Sequence, residues 1–162
     1  MSPNSDLPTG LTARLLRRTL HTYWRWARGL TLGVRGAVLT PENHVFLVRH
    51  TYVPGWHMPG GGVEAGETAL AALSRELAEE ARIAVTGPTP LHGIFYNDKV
   101  SRRDHVLVYV VRDFRVDEAK RPDREIAEAG FFPAERLPEG VSPATRRRLA
   151  EIVCGAPVTD IW

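Results

Sequence analysis

The chain has 162 residues, of which 43% are hydrophobic and 25% charged, with a net charge of +2; this excludes a disordered chain and gives one domain a substantial core, while being short for two. No stretch reaches the roughly 18 uncharged apolar residues of a membrane span. A single cysteine, Cys154, excludes an intrachain disulfide and a thiolate metal site built by this chain alone. A reducing, cytoplasmic setting is the expectation. The charge is uneven, since residues 1–40 hold six arginines against Asp6 alone, +5, which leaves −3 for the remainder.

Residues 1–10, with two prolines and a glycine, read as a loose leader. From Leu11 the apolar positions Leu11, Leu15, Leu16, Leu20, Tyr23, Trp24 and Ala27 recur at helical spacing, with Arg14, Arg17, Arg18, Arg25 and Arg28 between them. This predicts a basic amphipathic helix over 11–28 that packs on the domain or on a second copy in a homodimer. Its alternative use is contact with an anionic membrane or polyanion. Residues 1–30 are thus set apart from a domain over 31–162.

After Gly29 the pattern becomes β. "GVRGAVLT" (33–40) and "HVFLVRH" (44–50), around a turn at Pro41 to Asn43, read as a hairpin. The following "VPGWHMPGGGVEAGE" (53–67) is too rich in glycine and proline for regular structure. Residues 68–82 read as a helix, and 91–96, 104–114 and 130–133 as strands. A last helix opens with Ser142 as N-cap and Pro143 in the first turn, and runs to about Cys154. Mixed α and β in one domain is the coarse reading.

The helix at 68–82 carries the chemistry. With 3.6 residues per turn and Arg75 at zero, Glu79, Glu76 and Glu80 fall near about 40°, 100° and 140°, while Leu73, Leu77, Leu70 and Ala81 gather at roughly 160° to 240°. One side is apolar and the adjoining side acidic. Like charges three and four residues apart repel by a few tenths of a kcal/mol, and a divalent cation reverses that sign. An all-oxygen cluster suits a hard ion such as Mg²⁺ or Mn²⁺. His50 and His57 lie upstream, read as polar fillers rather than ligands. Gly60, Gly61 and Gly62 let backbone approach a ligand closely, and a carbonyl there can add an oxygen donor.

The stretch "GGVEAGETALAALSRELAEEARI" (61–83) resembles the Nudix box, G-x5-E-x7-R-E-U-x-E-E-x-G-U with U a bulky aliphatic. Every fixed position matches except one, where Arg82 replaces the glycine that eases the chain out of the helix. Flanking "GVRGAVLT", "VFLVRH" and "GWHMPGG" are also similar to Nudix domains. The resemblance implies an α/β/α sandwich with a mixed sheet, and hydrolysis of a diphosphate bond in a nucleoside diphosphate linked to another group, with Mg²⁺ or Mn²⁺ as cofactor. It implies that Glu76, Glu79 and Glu80 hold the metal, with the Gly60 carbonyl as a further ligand. Arg75 would orient them, and Glu67 would support Arg75. A later-loop glutamate, Glu125 in preference to Glu128, would join the set.

For substrate contacts, Arg49, Arg102 and Arg103 match phosphate oxygens. Trp56, Tyr52, Phe95 and Tyr96 are aromatic candidates for a base-stacking platform, Trp56 among them being assigned to the substrate. The expected partner is a small nucleotide, such as ADP-ribose or a nucleoside triphosphate, with no stable nucleic-acid complex. The competing reading is a non-catalytic Nudix-fold nucleotide-binding or regulatory module. A prenyl-diphosphate isomerase would call for a cysteine at the reacting centre, whereas Cys154 lies in the last predicted helix.

Overall fold

The computed structural model describes residues 29–162; the basic helix expected over 11–28 lies outside them. Among the described residues eight strands and two helices follow in order: β1 (Thr31–Val38), β2 (His44–His50), β3 (Trp56–His57), α1 (Ala69–Ala81), β4 (Ile83–Val85), β5 (Leu91–Tyr96), β6 (Asp104–Val111), β7 (Phe114–Val116), β8 (Ile126–Pro133) and α2 (Pro143–Cys154). They form three ribbons, ordered β1-β6-β5, β3-β2-β8 and β4-β7. The β1–β6 pair is parallel and the other ladders are antiparallel, so the sheet structure is mixed.

The core explains the layering. Successive strand side chains point to opposite faces, and β1, β2 and β6 are apolar at both parities. Val34 and Val38, Phe46 and Val48, and Leu107, Tyr109 and Val111 pack with Ala72, Leu73 and Leu77 of α1. The alternate residues Ala37 and Leu39, Val45 and Leu47, and Val106 and Val108 pack with Leu149 of α2. Strands buried on both faces need a cover on each. The result is an α/β/α sandwich.

The hairpin expected between 33–40 and 44–50 is corrected. The turn forms, with Asn43 N–H donating to the Thr40 carbonyl and Thr40 N–H to the His44 carbonyl, but pairing stops at the Leu39–Val45 bridge. Beyond it β1 is taken on one side by β6 and on the other by the glycine loop. Val34 N–H donates to the Gly61 carbonyl, Gly36 N–H to Pro59 and Val63 N–H to Leu32. β2 turns instead to β8 and β3. The breaker-rich segment 53–67 therefore contains a short strand, Trp56–His57, where it meets β2. The strand expected over 104–114 divides into β6 and β7, and β8 starts four residues earlier than "GFFP" suggested.

Ser142 caps α2 as the sequence predicts, accepting from Thr145 N–H, while Thr68, read as the first residue of its helix, is the cap of α1 and accepts from Ala71 N–H. Leu70, placed on the apolar side of α1, is 50% exposed; it lies in the first turn, before the helix runs under the strands.

A candidate active site on the acidic helix

α1 and the glycine loop meet over a cavity of about 440 Å³ lined by Glu76, Glu79, Glu80, Arg75, Gly60 to Gly62, Arg35, His50, Tyr52, Val53, His57 and Glu125. Helix spacing delivers the first three glutamates to one edge. The loop delivers the room: a Cβ on Gly61 would collide with the Glu76 carboxylate, and one on Gly60 with the Val34 carbonyl. Gly60 also has φ of 142°, open to glycine and strained for other residues.

Each carboxylate has its own environment. Glu80 is buried, and its Oε2 accepts from Gly60 N–H at 2.8 Å. Desolvation pushes its pKa up to about 7, against the opposing pull of that hydrogen bond and of Arg35. His50 Nε2 lies 3.7 Å from Glu80 Oε1. Burial, then Arg35 and His57, lower the His50 pKa to about 4, so at neutral pH the contact joins a neutral imidazole to the carboxyl group rather than forming an ion pair. Glu76 is largely buried and held at 2.7 Å by Arg75 Nη1. Glu79 is open to solvent, 3.5 Å from the same nitrogen.

Arg75 is the clamp. Its Nε and Nη2 donate to the two oxygens of Glu67 at 3.1 and 3.2 Å, and Nη2 also reaches the Gly62 carbonyl. Hydrogen bonds to Glu67 and Glu76 raise the Arg75 pKa further, while Arg75 and the Glu64 N–H hold the Glu67 carboxyl below its usual range. Glu67 thus stands behind Arg75 rather than in the cavity lining.

Not every predicted residue reaches this place. Glu125 lines the cavity from the loop before β8. Glu128, two residues into a strand, pairs at 2.7 Å with Arg49 across the β2–β8 register. Arg49, Arg102, Arg103 and Trp56 are absent from the lining. Arg49 is engaged with Glu128 and sits over the Trp56 ring. Arg102 and Arg103 lie on the exposed turn that leads into β6, where the Arg103 carbonyl accepts from Thr31 N–H. Trp56 is 7% exposed and packs edge-on against Phe132, a core position. Phe95 is buried as well.

Arg35, which the sequence reading passed over, lines the cavity where those residues do not. It donates to the carbonyls of Met58 and Gly60, so the Gly60 oxygen predicted as a metal ligand already has a donor. Desolvation lowers its pKa despite the nearby Glu80 and Glu76. The available signal was a charge at mid-strand, between Val34 and Gly36, in a segment otherwise apolar. His57, its pKa lowered by burial, places Nε2 3.0 Å from the Pro54 carbonyl, to which it donates.

Among the described residues no three histidine, cysteine or acidic side chains stand close enough to enclose a cation, because Glu76 turns to Arg75 and Glu80 to the loop N–H. The donor set still fits a hard divalent ion. Four carboxylates share the cavity with two guanidiniums and neutral imidazoles, every candidate ligand atom is oxygen, and the Cβ-free Gly61 leaves space at Glu76.

Comparison with known proteins agrees with this geometry. The NUDIX domain model matches residues 30–152. The MutT4 protein of Mycobacterium tuberculosis (strain CDC 1551 / Oshkosh) is 38% identical over 102 residues, covering 60% of this chain and 40% of that protein. The ADP-ribose pyrophosphatase of Methanocaldococcus jannaschii is 32% identical over 110 residues, 63% of this chain and 62% of that one. The chain therefore spans less than two thirds of the length of either relative. In fold it is similar to the MutT NUDIX hydrolase of Burkholderia pseudomallei, with a TM-score of 0.66 at 23% identity over 76% of this chain and 98% of the other. Matched over most of its length, and with the box motif laid along α1, the chain belongs to the NUDIX domain family.

Proposed function

We propose that the chain is a divalent-metal-dependent pyrophosphohydrolase that cleaves a diphosphate bond in a nucleoside diphosphate linked to another group, a nucleotide sugar such as ADP-ribose or a nucleoside triphosphate. The observation that carries this reading is the convergence of Glu76, Glu79, Glu80 and Glu125, two of them largely buried, on one cavity. A carboxylate wall of that kind repels a polyphosphate, and burial raises its cost further. Mg²⁺ or Mn²⁺ held by those four residues would neutralise the phosphates and make water acidic enough to attack at neutral pH.

The chain's own groups divide the remaining work. Arg75, braced by Glu67, fixes the Glu76 rotamer. Gly60 N–H orients Glu80 by donating to its Oε2. Arg35 presents a guanidinium on the lining, where it complements phosphate oxygens. The relative named ADP-ribose pyrophosphatase supports the nucleotide-sugar form of the substrate.

The test is hydrolysis of a panel of nucleotide sugars and nucleoside triphosphates with Mg²⁺ or Mn²⁺. The expected outcome is release of a nucleoside monophosphate, reduced about a hundredfold or more in Glu80→Gln. Gly61→Ala should also lose kcat, because the added methyl displaces the Glu76 carboxylate while leaving the core untouched. Nucleotide binding with no product from the wild-type protein would replace this reading by the non-catalytic module.

A further inference from the structure

A second cavity of about 310 Å³ adjoins the first, sharing Glu79, Glu80 and Glu125 and adding Arg82, Lys120, Asp123 and Ile126. Lys120 is unusual there. It lies on the exposed segment between β7 and β8, yet its side chain is 5% exposed. Burying an ammonium is costly unless its donors are met. Here they meet two named acceptors: Nζ donates to the Glu79 carbonyl at 2.8 Å and to Asp123 Oδ2 at 2.5 Å.

Both acceptors belong to the elements that carry the glutamates. The Glu79 carbonyl is one of the last four of α1, which have no partner within the helix, and a cation is favoured at that end. The opposite oxygen of Asp123, Oδ1, accepts from the backbone N–H of Glu125 at 2.9 Å and of Ile126 at 2.8 Å. An unbroken chain of hydrogen bonds thus runs from the helix bearing Glu79 and Glu80, through Lys120 and Asp123, to the backbone of Glu125. The far side of the same loop is tied to the end of β2, where Thr51 N–H donates to the Glu125 carbonyl and Thr51 Oγ1 to the Arg124 carbonyl.

We propose that Lys120 and Asp123 are positioning residues that latch the Glu125 loop onto the C-terminal end of α1 and so set the spacing between Glu125 and the glutamates of the helix. The inference rests on the reading of those glutamates as cation ligands. It concerns residues outside the box, on a loop whose sequence, "DEAKRPDRE", resembles only a solvated charge run.

The test uses the full chain and Lys120→Met, Asp123→Asn and the double variant, with Lys99→Met as an exposed control. Mn²⁺ affinity is read from the loss of the free-ion electron paramagnetic resonance signal, beside kcat, KM and the urea midpoint. Each latch variant should lose about tenfold or more in Mn²⁺ affinity, the scale seen when a residue supporting metal ligands is removed, and kcat should fall with KM held within about twofold. The double variant should be no worse than the poorer single one, because either change opens the same latch. Variants that lose stability but bind Mn²⁺ and turn over like wild type would overturn the proposal and leave a plain tether. If Lys120→Met does not fold, the near-isosteric Asp123→Asn decides. Wild-type protein that binds Mn²⁺ without hydrolysing any nucleotide sinks the proposed activity alone, the latch still being judged by the Mn²⁺ affinities; wild-type protein that binds no Mn²⁺ overturns both.

Discussion

Glu80 shows how far one side chain's chemistry depends on its neighbours. Its place on the acidic edge of α1 follows from helix geometry, but its burial under the Gly60 N–H does not. With a folded pKa of about 7 against an ordinary 4.5, the native state binds a proton more readily than the unfolded chain. Glu80's favourable contribution is therefore complete below about pH 4.5 and is lost as pH rises through about 7. In the presence of EDTA, Glu80→Gln should be more stable than wild type at pH 8, by on the order of 2 kcal/mol, and no more stable at pH 4.5. Adding Mg²⁺ at pH 8 should narrow the gap, because a cation stabilises only the carboxylate. Urea unfolding at the two pH values measures both effects.

At the level of elements, the start of α2 was legible because a cap is local: the Ser142 oxygen needs only the N–H three residues on. The departure at Arg82 was legible too, as the box position normally held by glycine. Arg82 takes up the left-handed conformation with φ of 56° and donates its N–H to Leu77 and Ala78, so the helix ends where the family pattern places its end. The cost lies in the Cβ. Arg82→Gly should raise stability by about 1 kcal/mol, since the lost 3.5 Å pair with Glu118 is exposed and worth little. An increase in urea midpoint without change in the slope is the expected readout. The longer strands were legible on the same local ground, β3 and β4 were not, and strand partners were not local at all: β1 and β2 have the β runs and turn of a hairpin, yet their free edges go to β6, the glycine loop and β8.

Across the whole molecule, the C-terminal tail completes the sheet end opposite the glycine loop. Tyr96 N–H donates to Asp160 and Trp162 N–H to Tyr96, which lays residue 161 beside β5. Arg148, with no exposed surface, holds that tail from α2: it donates to the Ile161 carbonyl, to Thr159 and to Glu151, and its guanidinium lies 3.8 Å from the Phe95 ring centre. In the sequence Arg148 is one of three consecutive arginines on a helix, and nothing local marks it as the inward one. Arg148→Met keeps the bulk but leaves the buried Glu151 without its arginine, and should cost about 3 kcal/mol or more. Limited proteolysis should then cut within the tail under conditions where wild type resists, and urea unfolding should give the stability change.

What the sequence determined by itself was set by short-range geometry. Three glutamates and Arg75 on one helix edge, with a loop of three glycines before it, carried the resemblance to the Nudix box, and that resemblance implied the sandwich. Only the tertiary structure decided that Glu128 pairs with Arg49 away from the cavity, that Arg35 joins Arg75 on its lining while Arg49, Arg102 and Arg103 lie elsewhere, and that Trp56 belongs to the core. Those outcomes depend on which strand edges meet across some 80 residues of chain, and a side chain's burial and charge partners follow from that meeting rather than from its neighbours in sequence.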